Sequence, residues 1–315
     1  MAGRDTTYLD LVRAVDDFPD SNEAKESYYR LYLPYDETPH GYMLPETVQK
    51  MPWTSDFRVR HEHPRSVTVL DATEGEDTAT AVNRAFDKLV TICVDNELFH
   101  ILDGKHSEPF AILGAKYPVH VERFASSLFG ISACGAVMVG FVNTAEGIKV
   151  WIPRRAAHLY TSPGLLDITV AGGVKAGVSA LQTLVEEADE EASIPEDLVR
   201  GCVRARGVIT IMGVTGPDFP GEQGLVLPDG MYVYDLEVPD TVVPKPRDDE
   251  VKEFYCMTIP DLQTALLRKE FKPDSAAVLV DFLMRQGIIT PENEPDYVEI
   301  SMHLHRRLPF KVAAR

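Results

Sequence analysis

Residues 171–194 read AGGVKAGVSALQTLVEEADEEASI. Within them Leu181, Leu184, Val185, Ala188 and Ala192 recur at helical spacing inside about 100° of arc, the stripe of a helix with one face in a core. Ser179 stands ahead of that stripe with Gln182 three residues on, a capping-box spacing that starts the helix and lets it run to about Ala192. Glu187, Glu190 and Glu191 then fall at i, i+3 and i+4, which gathers three carboxylates in one sector beside the apolar stripe. Charges so placed repel. A divalent cation turns the repulsion into binding, because hard carboxylate oxygens are what Mg2+ or Mn2+ prefers. Glu186 and Asp189 turn to solvent. Alone, VEEADEE also reads as a solvated helix face; the Ala171, Gly172, Gly173 turn at short range ahead of it sets it apart.

On either side the texture is that of an α/β chain. Residues 131–142 (ISACGAVMVGFV) and 147–153 (GIKVWIP) read as strands joined by a hairpin turn at NTAEG. Further strands are expected at Val208 to Met212 and Met231 to Val238, and helices at Ile259 to Lys269 and Ser275 to Gln286. Tyr8, Leu11, Val12 and Val15, then Val82, Phe86, Leu89 and Cys93, carry helical spacing in the first third. The expected organisation is an N-terminal α+β unit over residues 1–123, a main domain over 124–290 and an extension, 291–315, packing on it.

Composition narrows the function. With 31 basic against 49 acidic residues the formal net charge is -18, which repels a nucleic-acid backbone in the absence of a basic patch. Anionic substrates then need locally supplied positive charge, for which metal ions serve. Cys93, Cys134, Cys202 and Cys256 are scattered, without the paired spacing of a zinc site or redox dithiol. The glycine-interrupted run from Ile131 to Val142 falls short of the roughly 20 residues that span a bilayer, and MAGRDTTYLD lacks signal or transit character. A cytoplasmic protein, monomer or homodimer, is expected. His61 and His63, and His303 and His305, alternate as strand residues would and are given no role.

The turn and helix together resemble the Nudix box, G-x5-E-x7-R-E-U-x-E-E-x-G-U with U aliphatic. Fifteen positions before Glu187 lies Gly172, and Glu190, Glu191 and Ile194 follow in register. The arginine position holds Glu186, the late glycine is Ser193, and the early glutamate is missing at Val178 and Ser179. Over nearly the whole chain, YLDLVRAVDDFP, VWIPRRA, PGLLDITVAGG, EEASIPEDLV and LVDFLMRQGIITPENEPDYVEI resemble the thiamine pyrophosphokinase-related Nudix hydrolases of fungi and plants. The resemblance implies a three-layer α/β/α Nudix sandwich with a mixed sheet, preceded by a small α+β domain of uncharacterised role. It also implies hydrolysis of thiamine diphosphate, or of an oxidised or damaged analogue, to the monophosphate. Where members usually show a lysine and a tyrosine, this chain has Leu159 and Ser162.

The implied roles are Glu187, Glu190 and Glu191 as catalytic metal ligands for Mg2+ or Mn2+, with Glu250 in RDDEVKEF as a further base or ligand and Glu253 its neighbouring substitute. Gly172 and Gly173 belong to the substrate loop. Arg154 and Arg155 follow a strand and can clamp phosphate oxygens in bidentate fashion; adjacent strand residues face opposite ways, so one of the two does so. Trp151 and Tyr160 can stack on a flat heterocycle or lie in the core. Two other readings stay open. One is hydrolysis of a prenyl or nucleoside diphosphate, and the other a non-catalytic binding protein that keeps the fold.

Overall fold

The computed structural model describes residues 5–102 and 108–312. Helix α1 (Tyr8–Arg13) starts at Thr7, whose hydroxyl accepts from the Asp10 amide while the Asp10 carboxylate accepts from the Thr7 amide, a reciprocal cap. After α2 (Asn22–Glu26) come β1 (Tyr29–Tyr32), β2 (Gly41–Met43), α3 (Pro45–Lys50), β3 (Phe57–Arg60) and β4 (Ser66–Val69). The strands order as β2-β1-β4-β3, with β1 and β4 parallel. Helix α4 (Thr78–Asp95) lays Val82, Phe86 and Leu89 into one core with Leu31 and Val67 of that sheet, at the spacing read from the sequence. A short hairpin of β5 (Pro109–Ala111) and β6 (His120–Glu122) follows, then α5 (Ala125–Leu128).

The main sheet comprises β7 (Ala133–Thr144), β8 (Gly147–Arg155), β9 (Val170–Gly173), β10 (Arg204–Val214), β11 (Val226–Glu237) and β12 (Val251–Thr258), in the order β10-β11-β7-β8-β12 with β9 on β7. It is mixed: β11 and β7 run parallel and the other pairs antiparallel. Helices α6 (Ala180–Ala192) and α7 (Glu196–Cys202) cover one face; α8 (Ile259–Leu267), α9 (Pro273–Arg285) and α10 (Tyr297–Leu304) cover the other together with α1. Alternation along the central strands serves both layers. Val137, Val139, Met231 and Val233 face α9, while Ala136, Met138 and Leu236 face α6. The architecture is the expected α/β/α sandwich.

Two packings cross the expected boundary near residue 124. Leu9, Leu11 and Val12 of α1 lie in the core under α9, and Ala125, Leu128, Phe129 and Ile131 lie in the core of the first sheet. The chain ends of the described region are tied together by buried Asp16, which accepts from Arg306 Nε and from the Met212 amide and pairs with His303. Two local expectations change. Residues 170–173 form a strand, not a turn, because hydrogen bonding to β7 carries the backbone through Gly172 and Gly173. His303 lies in the last turn of helix α10, which ends at Leu304 with His305 as its cap, so HLH closes a helix and is no strand; Ile300 and Leu304 are the helix's buried, four-apart anchors.

Candidate active site

The acidic helix is built as its spacing requires. Ser179 is extended at φ -82°, ψ 152°, and its hydroxyl accepts from the Gln182 amide at 3.1 Å, satisfying one of the free N–H groups of the first turn. Leu184, Val185, Ala188 and Ala192 are buried. The Gln182 side chain does not complete the box; it donates to Glu186 at 2.7 Å and accepts from Arg200 of α7 at 2.6 Å. Glu186, in the motif's arginine position, is thus braced through Gln182 to an arginine on the next helix.

The other end explains a second departure. Ser193 closes α6 in the left-handed region, φ 52° and ψ 33°, while its amide and that of Ile194 return to Asp189 and Ala188. A glycine takes this conformation without steric cost and a Cβ does not. Ser193→Gly is therefore expected to raise stability, by about 1 kcal/mol, read as a higher midpoint in urea; a lower midpoint would contradict a strained cap.

Glu187 and Glu191 turn back toward β9. The Glu191 carboxylate accepts from the Ala171 amide at 3.1 Å, and a Cβ at Gly172 would stand 2.3 Å from Glu187 Oε1. Gly172 is where the helix carboxylate and the strand meet. Gly173 plays the same part for Phe110, whose ring carbon would lie 2.5 Å from an added Cβ. Burial, then the neighbouring Glu190 and Glu250 carboxylates, push Glu187 up to about 7. Burial and the Glu187 charge push Glu191 well above the ordinary carboxylate range. Glu190 is exposed. Glu250 shares a small recess with Glu191, Asp167 and Arg155. The structure therefore brings Glu187, Glu191 and Glu250 together, with Glu190 beside them on the helix. Glu253 lies apart, against Arg154 and Lys252.

The β8 arginines diverge. Arg155 donates to Asp167 at 2.8 Å and to the Thr161 carbonyl, so it binds the loop that follows β8. Arg154 donates to Tyr255 Oη and the Gly164 carbonyl and lies over the Tyr255 ring. Trp151 packs in the core under α6, its indole nitrogen buried without a partner. Tyr160 packs edge-on against Phe124 and donates to the His100 carbonyl. Sequence reading passed over Asp167, which is buried among Arg155, Lys272 and Ser275. Burial pushes its carboxyl up, but the charges of Lys272 and Arg155 outweigh that and hold it below the ordinary carboxylate range. Sequence reading also passed over Arg123 and Lys175, the positive charges that act on Glu187. Only Lys175 left a trace, three residues beyond Gly172 between that glycine and the acidic helix.

Among the described residues no three His, Cys, Asp or Glu side chains converge as a finished metal cage. The donor set nevertheless suits a hard cation. It is all oxygen, burial and the neighbouring carboxylates raise Glu187 and Glu191, and a bound divalent charge would reverse that penalty.

No protein-family model matches the chain. It is 37% identical over 66% of its length to an uncharacterised protein of Saccharomyces cerevisiae, covering 63% of that protein. To Nudix hydrolase 20, chloroplastic, of Arabidopsis thaliana it is 31% identical over 70% of this chain and 55% of the relative. To Nudix hydrolase 24, chloroplastic, the identity is 34% over 60% and 48%. The chain belongs to the Nudix hydrolase superfamily. It spans about half to two thirds of these relatives' lengths. Among solved structures it is similar to the MutT protein of Methanosarcina mazei Go1, with TM-score 0.36 and 16% identity over 49% of this chain and 95% of that one. A Caenorhabditis elegans Ap4A hydrolase gives TM-score 0.33 and 15% identity over 48% and 98%. As a Nudix protein it carries the matched part of the box from Gly172 on β9 through the following loop to α6; among the described residues no helix is long and apolar enough to cross a membrane.

Proposed function

We propose that the chain is a divalent-metal-dependent pyrophosphohydrolase acting on the diphosphate of a small organic molecule, thiamine diphosphate or an oxidised or damaged analogue, to give the monophosphate and phosphate. The observation that carries this reading is the gathering of Glu187, Glu191 and Glu250, with Glu190 beside them, at the junction of β9 and α6. These four residues would hold Mg2+ or Mn2+. When bound, the cation supplies charge neutralisation for the diphosphate and eases deprotonation of a water.

The chain's own groups supply the rest. Glu191, fixed by the Ala171 amide, and Glu250 at the neighbouring loop flank the recess, and either carboxylate oxygen can take the proton of the attacking water. Asp167 holds Arg155 toward the same recess. Gly172 lets the strand approach the helix, so that the carboxylates reach across it.

The test is phosphate release from thiamine, oxythiamine, isopentenyl and adenosine diphosphates with Mg2+ or Mn2+, using Glu190→Gln beside the wild type. Turnover of the thiamine class that disappears in the variant supports the reading. Turnover of another class alone removes thiamine, and no turnover of any removes the enzyme.

A further inference from the structure

Both β8 arginines spend their donors on the protein itself. Positive charge near the carboxylates comes instead from Lys175, in the loop after β9, and Arg123, just past β6. Glu108 holds the two together, with Lys175 Nζ at 3.0 Å and Arg123 at 3.4 Å. The Arg123 guanidinium also lies 5.7 Å from the Phe110 ring and 5.6 Å from the Phe124 ring, contacts that fix a cation's direction.

This is also where the first third of the chain is fastened to the Nudix loop by backbone. The Ala176 amide donates to the Pro109 carbonyl at 2.7 Å, and Phe110 bridges Lys175. The absent Cβ of Gly173 makes room for the Phe110 ring. A contact this specific places β5 and β6 at the edge of the carboxylate site.

Glu108 is at the same time part of the wall of a cleft of about 480 Å³, a volume in the range of small-molecule sites, roughly 300–1,000 Å³. Val90 and Val94 of α4, Leu102 and the Phe124 ring give it apolar walls, and Asp87 and Glu122 join Glu108 as carboxylates. Tyr160, from the loop after β8, braces Phe124 at a centroid distance of 6.2 Å. Glu108 is met by Lys175 and Arg123, so the apolar walls, the aromatic ring and the Asp87 and Glu122 carboxylates are what suit a flat organic group that carries positive charge.

We propose that the N-terminal third completes the substrate site: Arg123 and Lys175 grip the diphosphate, and the cleft under α4 takes the cationic organic group attached to it. The inference rests on the diphosphatase reading above for the first part only. Carboxylates, cation pair and cleft are linked in that sequence through Glu108, which matches the sequence of metal, diphosphate and organic group in such a substrate.

The experiment uses the full chain without metal, and thiamine itself, free of phosphate, as the calorimetric probe. Val94→Trp, which puts an indole into the cleft, is expected to weaken thiamine binding at least tenfold, while Glu191→Gln leaves it within twofold. In turnover assays Val94→Trp raises KM for thiamine diphosphate about tenfold with kcat little changed, and leaves isopentenyl diphosphate within threefold. Arg123→Gln raises KM for both. Thr91→Trp, on the same wall, replaces Val94→Trp if that protein does not fold. Thiamine binding that is absent in the wild type, or unchanged in both tryptophan variants, overturns the proposal. Cleft-dependent thiamine binding without turnover of any diphosphate upholds the cleft and removes the hydrolase reading instead.

Discussion

Glu191→Gln is expected to lower kcat by about 10²–10⁴-fold and, in the absence of metal, to make the protein more stable at pH 8 than the wild type. The two effects have one cause. In the wild type Glu191 lies against the β9 backbone with Glu187, Glu250 and Asp167 acting on it, and burial with the Glu187 charge raises it well above its ordinary value. Glu187 itself is raised to about 7 from 4.5, by burial first and by Glu190 and Glu250 after it. A carboxyl whose folded pKa is raised stabilises the fold below its unfolded pKa, where both states are protonated alike, and that advantage is lost as pH rises through the folded value. Metal-free wild type should thus weaken between about pH 5 and pH 8. At about 1.4 kcal/mol per tenfold change, Glu187 alone accounts for on the order of 3 kcal/mol. In the Glu191→Gln variant the uncharged amide can still accept from Ala171 and removes one of the repelling charges, so the slope flattens. Mg2+ or Mn2+ should reverse the loss in the wild type, most at high pH, and do little for the variant. Melting curves at pH 5.5, 7 and 8.5 in chelator and in metal decide the matter; a wild-type midpoint that ignores both pH and metal would falsify the site.

How much of this a reader of the sequence can see depends on whether a feature is local. The α6 stripe, its Ser179 cap and the i, i+3, i+4 carboxylates are all set within one helix, and the spacing of Leu184, Ala188 and Glu191 reports them directly. The strand at Val170–Gly173 is not local. Two glycines argue against a strand by propensity, and here the missing Cβ atoms are needed because Glu187 and Phe110 press on that strand from other parts of the chain. Likewise α1 shows its apolar spacing but nothing of its partner, which is α9, more than 250 residues on. HLH alternates like a strand, yet Ile300 and Leu304, four apart, decide that segment as a helix against β10 and α1. Arg123 and Glu108 carry no motif at all. They matter because a hairpin from the first third docks beside the Nudix loop, and that docking is written in the shape of Gly173 and Phe110, with no spacing to announce it.

Asp235→Ala is expected to cost about 3–5 kcal/mol of stability, among the largest effects of any single substitution outside the site. Asp235 is on β11 with its side chain 1% exposed, and it receives Arg285 of α9 through both terminal nitrogens and Arg206 of β10 through Nε at 2.8 Å. Truncation leaves Arg285 mostly enclosed, with Asp281 as its remaining carboxylate partner. A buried charge deprived of its partner costs more than the pair ever contributed. The consequence reaches the site through α9. That helix is pinned at its C-terminal end by Arg285 and at its N-terminal end by Ser275, whose hydroxyl donates to Asp167; Asp167 in turn holds Arg155 beside Glu191 and Glu250. Loosening one end should therefore lower the midpoint in urea strongly and, at temperatures where the protein stays folded, leave kcat within a few-fold, since α9 carries none of the carboxylates on α6. Asp235→Leu combined with Arg206→Met, Arg285→Met and Asp281→Leu, which removes the charges together, should recover most of the stability. If the single variant loses less than about 1 kcal/mol, water reaches Arg285 and the pair is no anchor; if the combined variant is as weak as the single, the loss lies in packing and the charges are secondary.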